Sequence, residues 1–449
     1  MSAKAAAAAK VPEVHLRAGH VQPLWAGHPW VYAQAIARID APSGAPTVGD
    51  VVRVIDPQGN LIGRGFWSAR AAIPVRIVSR DAADDLDGSA WVVAKLRAAV
   101  ARRASVGLPS RATDGYRLVH AEGDELPGLV VDRFGADAEG RGGVLAVQVG
   151  TAGLRRRAAQ LVEALVETCA PHAIVDRTSV SAARAEGFEL EGASAISYGP
   201  PPSELRFSEL GAQFVLPTTL LQKTGFYFDQ RPLRARVTEL AAGRSVLDAY
   251  CYVGPIGIAA ARGGARSVVA LDESLPALEV GAQLAQANGV TVRFERADVR
   301  RELHRRALSG ERFDLVVLDP PKIAPTRGDR DAALGYQTRL IESACGLVAR
   351  GGLLVVCSCS QAIGHAELAR ALAIGTRRAG RSATILERLG QGPDHPVPAA
   401  FPEGLYLSTI IAEVAGDPTP PPSEPPSFDD ADRAARGGGG RRRGRPVGR

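Results

Sequence analysis

The chain has 449 residues, 45% of them hydrophobic, a size and composition that call for two or three soluble domains with ordinary cores. No segment reaches the roughly 18 uninterrupted apolar residues that a membrane-spanning helix needs, and the first ten residues, MSAKAAAAAK, lack the apolar stretch of a signal peptide. The formal net charge is +6, but residues 433–449 alone carry seven arginines and no acid, so the rest of the chain stands near −1 and is not a polycation.

Residues 11–80 alternate short β-like runs (VYAQAIARI, VGDVVRVIDPQGNLIGRGFW, IPVRIVSR) with GD and PQGN turns, which predicts a small β-barrel. HPWVY and RGFWS set Trp30 and Trp67 beside cations, an arrangement suited either to stacking on bases or to core packing. Residues 88–219 read as a mixed α/β module. WVVAKLRAAVARRASVGL and LRRRAAQLVEALVETC have helical spacing, YRLVHAEGDELPGLVVDRFG reads as a β-hairpin, and ELRFSELGAQFVLPTTLL reads as another. Next comes QKTGFYFDQR, residues 222–231, which packs Lys223, Asp229, Gln230 and Arg231 around three aromatics just ahead of a helix.

From about 220 to 415 the pattern is that of a doubly wound α/β sheet. SVLD ends one strand at Asp248, a turn holds Gly254 and Gly257, a small-residue helix follows, and SVVALD ends a second strand at Asp272. A third run closes on Asp298, and FDLVVLDPPK closes on Asp319. Acids at the carboxyl ends of parallel strands line the ligand crevice of such a sheet, and the one at Asp272 can grip a ribose diol. The glycine spacing is neither that of a dinucleotide site nor that of a phosphate-binding loop. An adenosine ligand without pyrophosphate fits better, and S-adenosylmethionine is one. GLLVVCSCSQ is a further strand, with Cys359 at its end where the loop into the cleft begins. The five cysteines show no zinc spacing, and their sparse, odd number suits a reducing cytoplasm. Residues 416–449 form a Pro/Gly/Arg-rich tail expected to be disordered, either solvated or touching nucleic acid.

GHPWVY, YRLVHAEGDELPGLVVDRFG, QKTGFYFDQR, VLDAYCYVGPIG, DPPK, CSCS and DHPVPAAFPEGLYL together resemble the cytosine-C5 methyltransferases of 23S ribosomal RNA that carry an N-terminal PUA domain. The resemblance implies a PUA barrel, a central module and a Rossmann-like class I methyltransferase domain whose seven-stranded sheet ends in a reversed hairpin, supplied by SATILERLG and GLYLSTIIAEV. It implies S-adenosylmethionine as cofactor, held by Gln230, Arg231, Asp248, Tyr250, Gly254, Asp272, Asp298 and Asp319, with Asp248 near the methionine end and Asp298 by the adenine amine. It implies Cys359 as nucleophile, with Asp319 flanking the reactive centre and Asp319 or Glu403 as base, while Trp30, Lys223 and Lys322 are the RNA-contact candidates. Ribosomal RNA is the expected partner, with neither membrane nor metal, and pairing into a homodimer is left open. Two departures stand out: Pro255 where the family usually has a second glycine, and Lys322-Ile323 where base-nitrogen methyltransferases carry an aromatic. Two other readings are methylation of a guanine nitrogen with Cys359 only structural, and an RNA-binding assembly factor without turnover.

Overall fold

In the computed structural model, residues 11–42, 44–69, 71–190, 195–220, 224–322 and 330–418 are described. Lys223 and the Arg-rich tail from 419 onward lie outside the described residues. The chain divides into two units: one runs up to Asp229 and includes Gly392–Gly404, and the other holds Gln230–Gln391 and the chain from Leu405.

The first unit opens with β1 (Glu13–Leu16), α1 (Gln22–Trp25), β2 (Trp30–Val31), β3 (Ile36–Asp40), β4 (Val51–Ile55), β5 (Leu61–Trp67) and β6 (Val75–Ser79). These strands form one sheet in the order β2-β6-β5-β4-β1-β3, antiparallel except where β1 meets β4. Alternate residues of the strands face inward, so Val14, Leu16, Val52, Val54, Trp67, Val75 and Ile77 make its core. Trp67 is therefore a packing residue. The expected single run VYAQAIARI is broken by a 3-10 turn at Ala33–Ala35, closed by Ala35 N–H donating to the Tyr32 carbonyl. Three small or polar residues in a row offer no side chains that would hold that stretch in a sheet.

The unit continues with α2 (Ala90–Ser105), β7 (Tyr116–His120), β8 (Leu129–Phe134), β9 (Val144–Val149), α3 (Ala152–Arg155), α4 (Ala158–Cys169), β10 (Ala173–Asp176) and α5 (Val180–Glu186). Strands β7 to β10 form a four-stranded sheet covered by α2 and α4. The hairpin of β11 (Glu204–Glu209) and β12 (Ala212–Pro217) carries Phe207 and Phe214. Phe226 and Phe228 pack on them, with ring centroids 4.9 Å (Phe207 to Phe226) and 5.4 Å (Phe207 to Phe228) apart. Two of the three aromatics of QKTGFYFDQR are thus committed to a core. Gly392–Gly404 joins this unit although it falls between strands of the other. Buried Arg103 donates to the Asp394 carbonyl at 2.8 Å, Arg117 N–H donates to Asp394 Oδ2 at 2.9 Å, and Phe401 packs edge-on to Trp30. The sequence had been read as continuous from 220 to 415, because nothing local marks contacts nearly 300 residues distant.

The second unit runs α6 (Arg231–Leu240), β13 (Ser245–Ala249), α7 (Pro255–Arg262), β14 (Ser267–Asp272), α8 (Leu275–Ala287), β15 (Arg293–Arg296), α9 (Val299–Leu308), β16 (Phe313–Leu318), α10 (Arg330–Cys345), β17 (Val348–Ser358), α11 (His365–Arg378), β18 (Ser382–Leu389) and β19 (Ser408–Ala415). Its seven strands lie in the order β15-β14-β13-β16-β17-β19-β18, the first five parallel and β19 antiparallel to both neighbours. Both faces are covered. Leu247, Leu271, Val316 and Leu354 meet α9, α10 and α11, while Val246, Val268, Leu315 and Val355 meet α6 and α7. That is why the central strands carry near-continuous apolar runs rather than alternating ones. Each such side chain contributes roughly 1.5–3 kcal/mol by leaving water. The strand order reverses between β13 and β16, which opens a crevice at their carboxyl ends.

Candidate active site

Asp248 sits one residue before the end of β13 and is 1% exposed. Its Oδ2 accepts the Gly257 N–H at 2.8 Å, whereas Oδ1 is buried with no hydrogen-bond partner among the described residues. Burial pushes this carboxyl up to about 7; the Gly257 bond pulls the other way, and the charges of Asp319 and Asp272 add to the rise. The turn that follows holds three left-handed residues, Tyr250 (φ 67°), Tyr252 (φ 54°) and Gly254 (φ 73°). Such a conformation costs a tyrosine on the order of 1–2 kcal/mol, and strain of this kind gathers at ligand sites. It brings the Tyr252 N–H within 2.9 Å of Asp272 Oδ2. The Tyr250 hydroxyl lies 3.4 Å from that of Tyr336.

Pro255 is accommodated. It occupies the first turn of α7, where a missing N–H breaks no helical bond and the fixed φ suits the helix. Gly254 has no such latitude, since a Cβ there would stand 2.5 Å from Phe294 Cε1 on top of the positive φ. Gly254→Ala is expected to cost about 1–3 kcal/mol of stability. A shift of the urea midpoint at unchanged slope would register it, and a midpoint equal to wild type would contradict the clash.

Asp272 ends β14, and its two oxygens accept the N–H groups of Tyr252 and Ser274, each at 2.9 Å. Asp298 caps α9, accepting from Arg300 N–H at 3.1 Å. The expected contact to an adenine amine would have to be made by a carboxylate already engaged in capping and in ion pairs with Arg300 and Arg301. Asp319 follows β16, and Gln230 Nε2 donates to its Oδ2 at 3.0 Å. Gln230 is buried, and its Oε1 has no hydrogen-bond partner among the described residues. Arg231 is buried at the start of α6.

Strand β17 ends at Ser358, and Cys359 is the first residue past it, half-buried. Cys357, two residues back, is fully buried, with Thr409 Oγ1 donating to its sulfur at 3.4 Å. Burial holds the Cys357 thiol well above its ordinary value. Cys359 lines a cleft together with Pro320, Pro321, Lys322, Gln337 and Ser360. Gln337 Nε2 anchors the floor by donating to the Cys357 carbonyl at 3.0 Å. Sequence reading missed Gln337; its one signal is a polar residue amid the buried face of α10, one turn after Ala333 and one before Ile341.

The second unit therefore gathers Asp248, Asp272, Asp319 and Gln230 around one crevice, and sets Cys359 beside Lys322. Trp30 is placed in the first unit instead. Its Nε1–H donates to Glu122 Oε1 at 2.8 Å, and its ring meets Phe401 edge-on at 4.6 Å. The indole is half-buried, with one edge held by these two contacts. Glu403 is likewise in the first unit, 3.4 Å from His28 Nε2.

Comparison with known proteins decides the family. Residues 14–80 match a PUA-like domain and residues 152–406 match the S-adenosylmethionine-dependent methyltransferases. A protein of Shewanella amazonensis is 34% identical over 405 residues, covering 89% of this chain and 99% of its own length. One of Erwinia tasmaniensis is 34% identical over 406 residues, covering 89% and 98%. Both bear the name ribosomal RNA large subunit methyltransferase I. The chain belongs to the PUA-bearing S-adenosylmethionine-dependent methyltransferases. Its fold is also that of a methyltransferase solved with SAH (TM-score 0.73, 16% identity, covering 90% of this chain and 100% of that one). A second solved relative in fold, an S-adenosylmethionine-dependent methyltransferase from Streptococcus mutans, gives a TM-score of 0.72 at 15% identity, with the same coverage.

The crevice of this methyltransferase fits S-adenosylmethionine. The cofactor brings a fixed positive charge and a ribose diol, and the crevice offers three mutually repelling carboxylates, Asp248, Asp272 and Asp319, that a cation relieves. The unpartnered Oδ1 of Asp248 and Oε1 of Gln230 are buried acceptors whose desolvation is offset when a ligand donates to them.

Proposed function

We propose that this methyltransferase modifies large-subunit ribosomal RNA and forms 5-methylcytidine through a transient bond between Cys359 and cytosine C6. The name carried by its relatives supports the RNA class. The observation that supports the chemistry is the contrast in exposure between the two thiols lining the cleft: Cys357, within the strand, is wholly buried, whereas Cys359, just past the strand end, is half-exposed beside the Pro-Pro-Lys loop.

Carbon 5 of cytosine is too weak a nucleophile to take a methyl group unaided. The Cys359 thiolate adds to C6, and the electron pair of the C5–C6 double bond becomes available at C5. S-adenosylmethionine supplies the methyl electrophile. After transfer a base takes the C5 proton, the double bond reforms, and the C6–S bond breaks to return the thiolate. Lys322, exposed and lining the same cleft, is the proposed partner of an RNA phosphate. Asp319 is the base we favour. It is half-buried, fixed by Gln230, and adjacent to Pro320 of the cleft, whereas Glu403 belongs to the other unit and pairs with His28. Gln230, Asp248, Tyr250, Asp272 and Asp298 are the proposed cofactor contacts, and residues 14–80 the proposed RNA anchor.

Labelled methyl transfer to unmodified 23S rRNA, naked and in large subunits, tests the reading. Labelled 5-methylcytidine in the nucleoside digest is expected. Label in an N-methylguanosine, or transfer to no RNA at all, would sink it.

A further inference from the structure

We propose that Trp25 is a stacking platform for unpaired RNA bases on the N-terminal sheet, with Arg17, eight residues earlier in the same acid-free segment, as a phosphate contact. The inference builds on the RNA reading above and adds a site that no motif marks. Helix α1 is a single turn, Gln-Pro-Leu-Trp, and it sorts its two large apolar residues to opposite environments. Leu24 is 2% exposed in the core of the sheet, and Trp25 is 77% exposed. The turn is rigidly built. Pro23 fixes its start, and Trp25 N–H, Ala26 N–H and His28 N–H donate to the carbonyls of Val21, Gln22 and Pro23 at 2.8, 2.9 and 2.9 Å. The indole is thus held outward by the backbone and is not left there by a loose loop.

Nothing in the first unit uses that ring. The aromatic cluster nearby in sequence joins His28, Trp30, Tyr32 and Phe401, and no ring or cation contact among the described residues includes Trp25. The other three tryptophans are all occupied: Trp30 through Glu122 and Phe401, Trp67 and Trp91 in cores. An exposed tryptophan contributes nothing to folding, and its large flat face gains only when a partner covers it.

The charge around the turn selects the partner. From Val14 to Ile39 the chain has no acid, while it carries Arg17, Arg38 and three histidines. Arg38 is balanced by Asp40, and His15 by Glu13 and Asp40. Arg17 is exposed and has no acidic partner among the described residues; one nitrogen of its guanidinium, Nε, donates to the Ile36 carbonyl at 2.9 Å, which fixes the group and leaves the terminal nitrogens to solvent. His20, tied to Arg17 by a backbone bond of 3.2 Å, is exposed next to it. A fixed aromatic face with an unneutralised guanidinium is what single-stranded RNA needs, since any base can stack and every nucleotide brings a phosphate. The contact adds affinity and is indifferent to sequence.

Because Trp25 is the most exposed indole of four, at 77%, quenching by RNA weighs on it most. Titration with a twelve-nucleotide single-stranded RNA, without cofactor, is expected to quench the wild type. Trp25→Ala should remove most of the quench and weaken binding about ten- to hundredfold, while Trp25→Phe restores affinity. Arg17→Gln should lower the slope of log affinity against log salt by about one. In methyl transfer, Trp25→Ala should raise KM and leave kcat unchanged. Equal RNA affinity for Trp25→Ala and wild type overturns the proposal. So does a change confined to sedimentation, which would make the face a contact between two copies of the chain. If Trp25-dependent binding appears but no cytosine is methylated, the reaction reading fails and this one stands; methylation without Trp25 dependence gives the reverse.

Discussion

Cys359→Ser is expected to lower methyl transfer to cytosine by about a thousandfold or more, the scale of losing a covalent nucleophile. A serine hydroxyl at the same place is almost never ionised near neutrality, and no histidine is among the described residues that line the cleft. Cys357→Ser makes the discriminating control. That sulfur is wholly buried against Thr409, so its loss should cost some stability and leave the chemistry intact. RNA carrying 5-fluorocytidine sharpens the comparison. Fluorine at C5 cannot leave as a proton does, so the thiolate cannot be eliminated and the adduct persists. A band shifted on a denaturing gel is expected for wild type and Cys357→Ser and not for Cys359→Ser. Undiminished transfer by Cys359→Ser would end the covalent reading and leave methylation of a ring nitrogen as the reaction.

The second large effect is a pH dependence centred on Asp248. Its carboxyl ionises near 3.8 in an unfolded chain and is pushed up to about 7 in the fold. Between those values the native state holds a proton that the unfolded state has released. Stability of the cofactor-free protein therefore falls as pH rises from about 4 to about 7, by about 4 kcal/mol in all. Asp248→Asn keeps the shape and an acceptor for the Gly257 N–H but carries no charge. It should flatten that slope, melt higher than wild type at pH 8, and bind S-adenosylmethionine ten- to hundredfold more weakly. With Asp248 as a proposed cofactor contact, its ionised form is the one expected to bind a cationic ligand, so binding below pH 7 should release a proton. Calorimetry in two buffers of different ionisation heat measures that release directly. Neutral SAH should release less. Identical melting profiles for Asp248→Asn and wild type between pH 5 and 8 would refute the assignment.

Much of this methyltransferase was legible before any coordinates. The apolar runs of β13, β14, β16 and β17, the glycine turn at Gly254 and the acids closing each strand are local patterns. A parallel sheet covered on both faces imposes just such runs, because both faces of a central strand are buried along most of its length. The place of Cys359 at a strand end followed from the length of its apolar run, and the structure agrees on that position. Pro255 looked like a defect in the sequence and is a helix start in the fold, since the residue's effect depends on which turn it enters.

What the sequence by itself determined is the sheet, its topology class and the strand ends that carry the chemistry, because period and turn residues are written in neighbouring positions. Only the tertiary structure decided that Asp248 shares its field with Asp272 and Asp319, that Gly392–Gly404 packs with the first unit, and that Trp25 stands exposed while Trp30 is half-buried with two partners. Those two tryptophans stand five residues apart in one acid-free stretch, and no local pattern separates them. Trp30 is claimed by Glu122 and Phe401, residues far along the chain, and the phase of a one-turn helix turns Trp25 outward. Contacts between distant residues are set by how the chain closes on itself, and that closure leaves no mark on the residues next door.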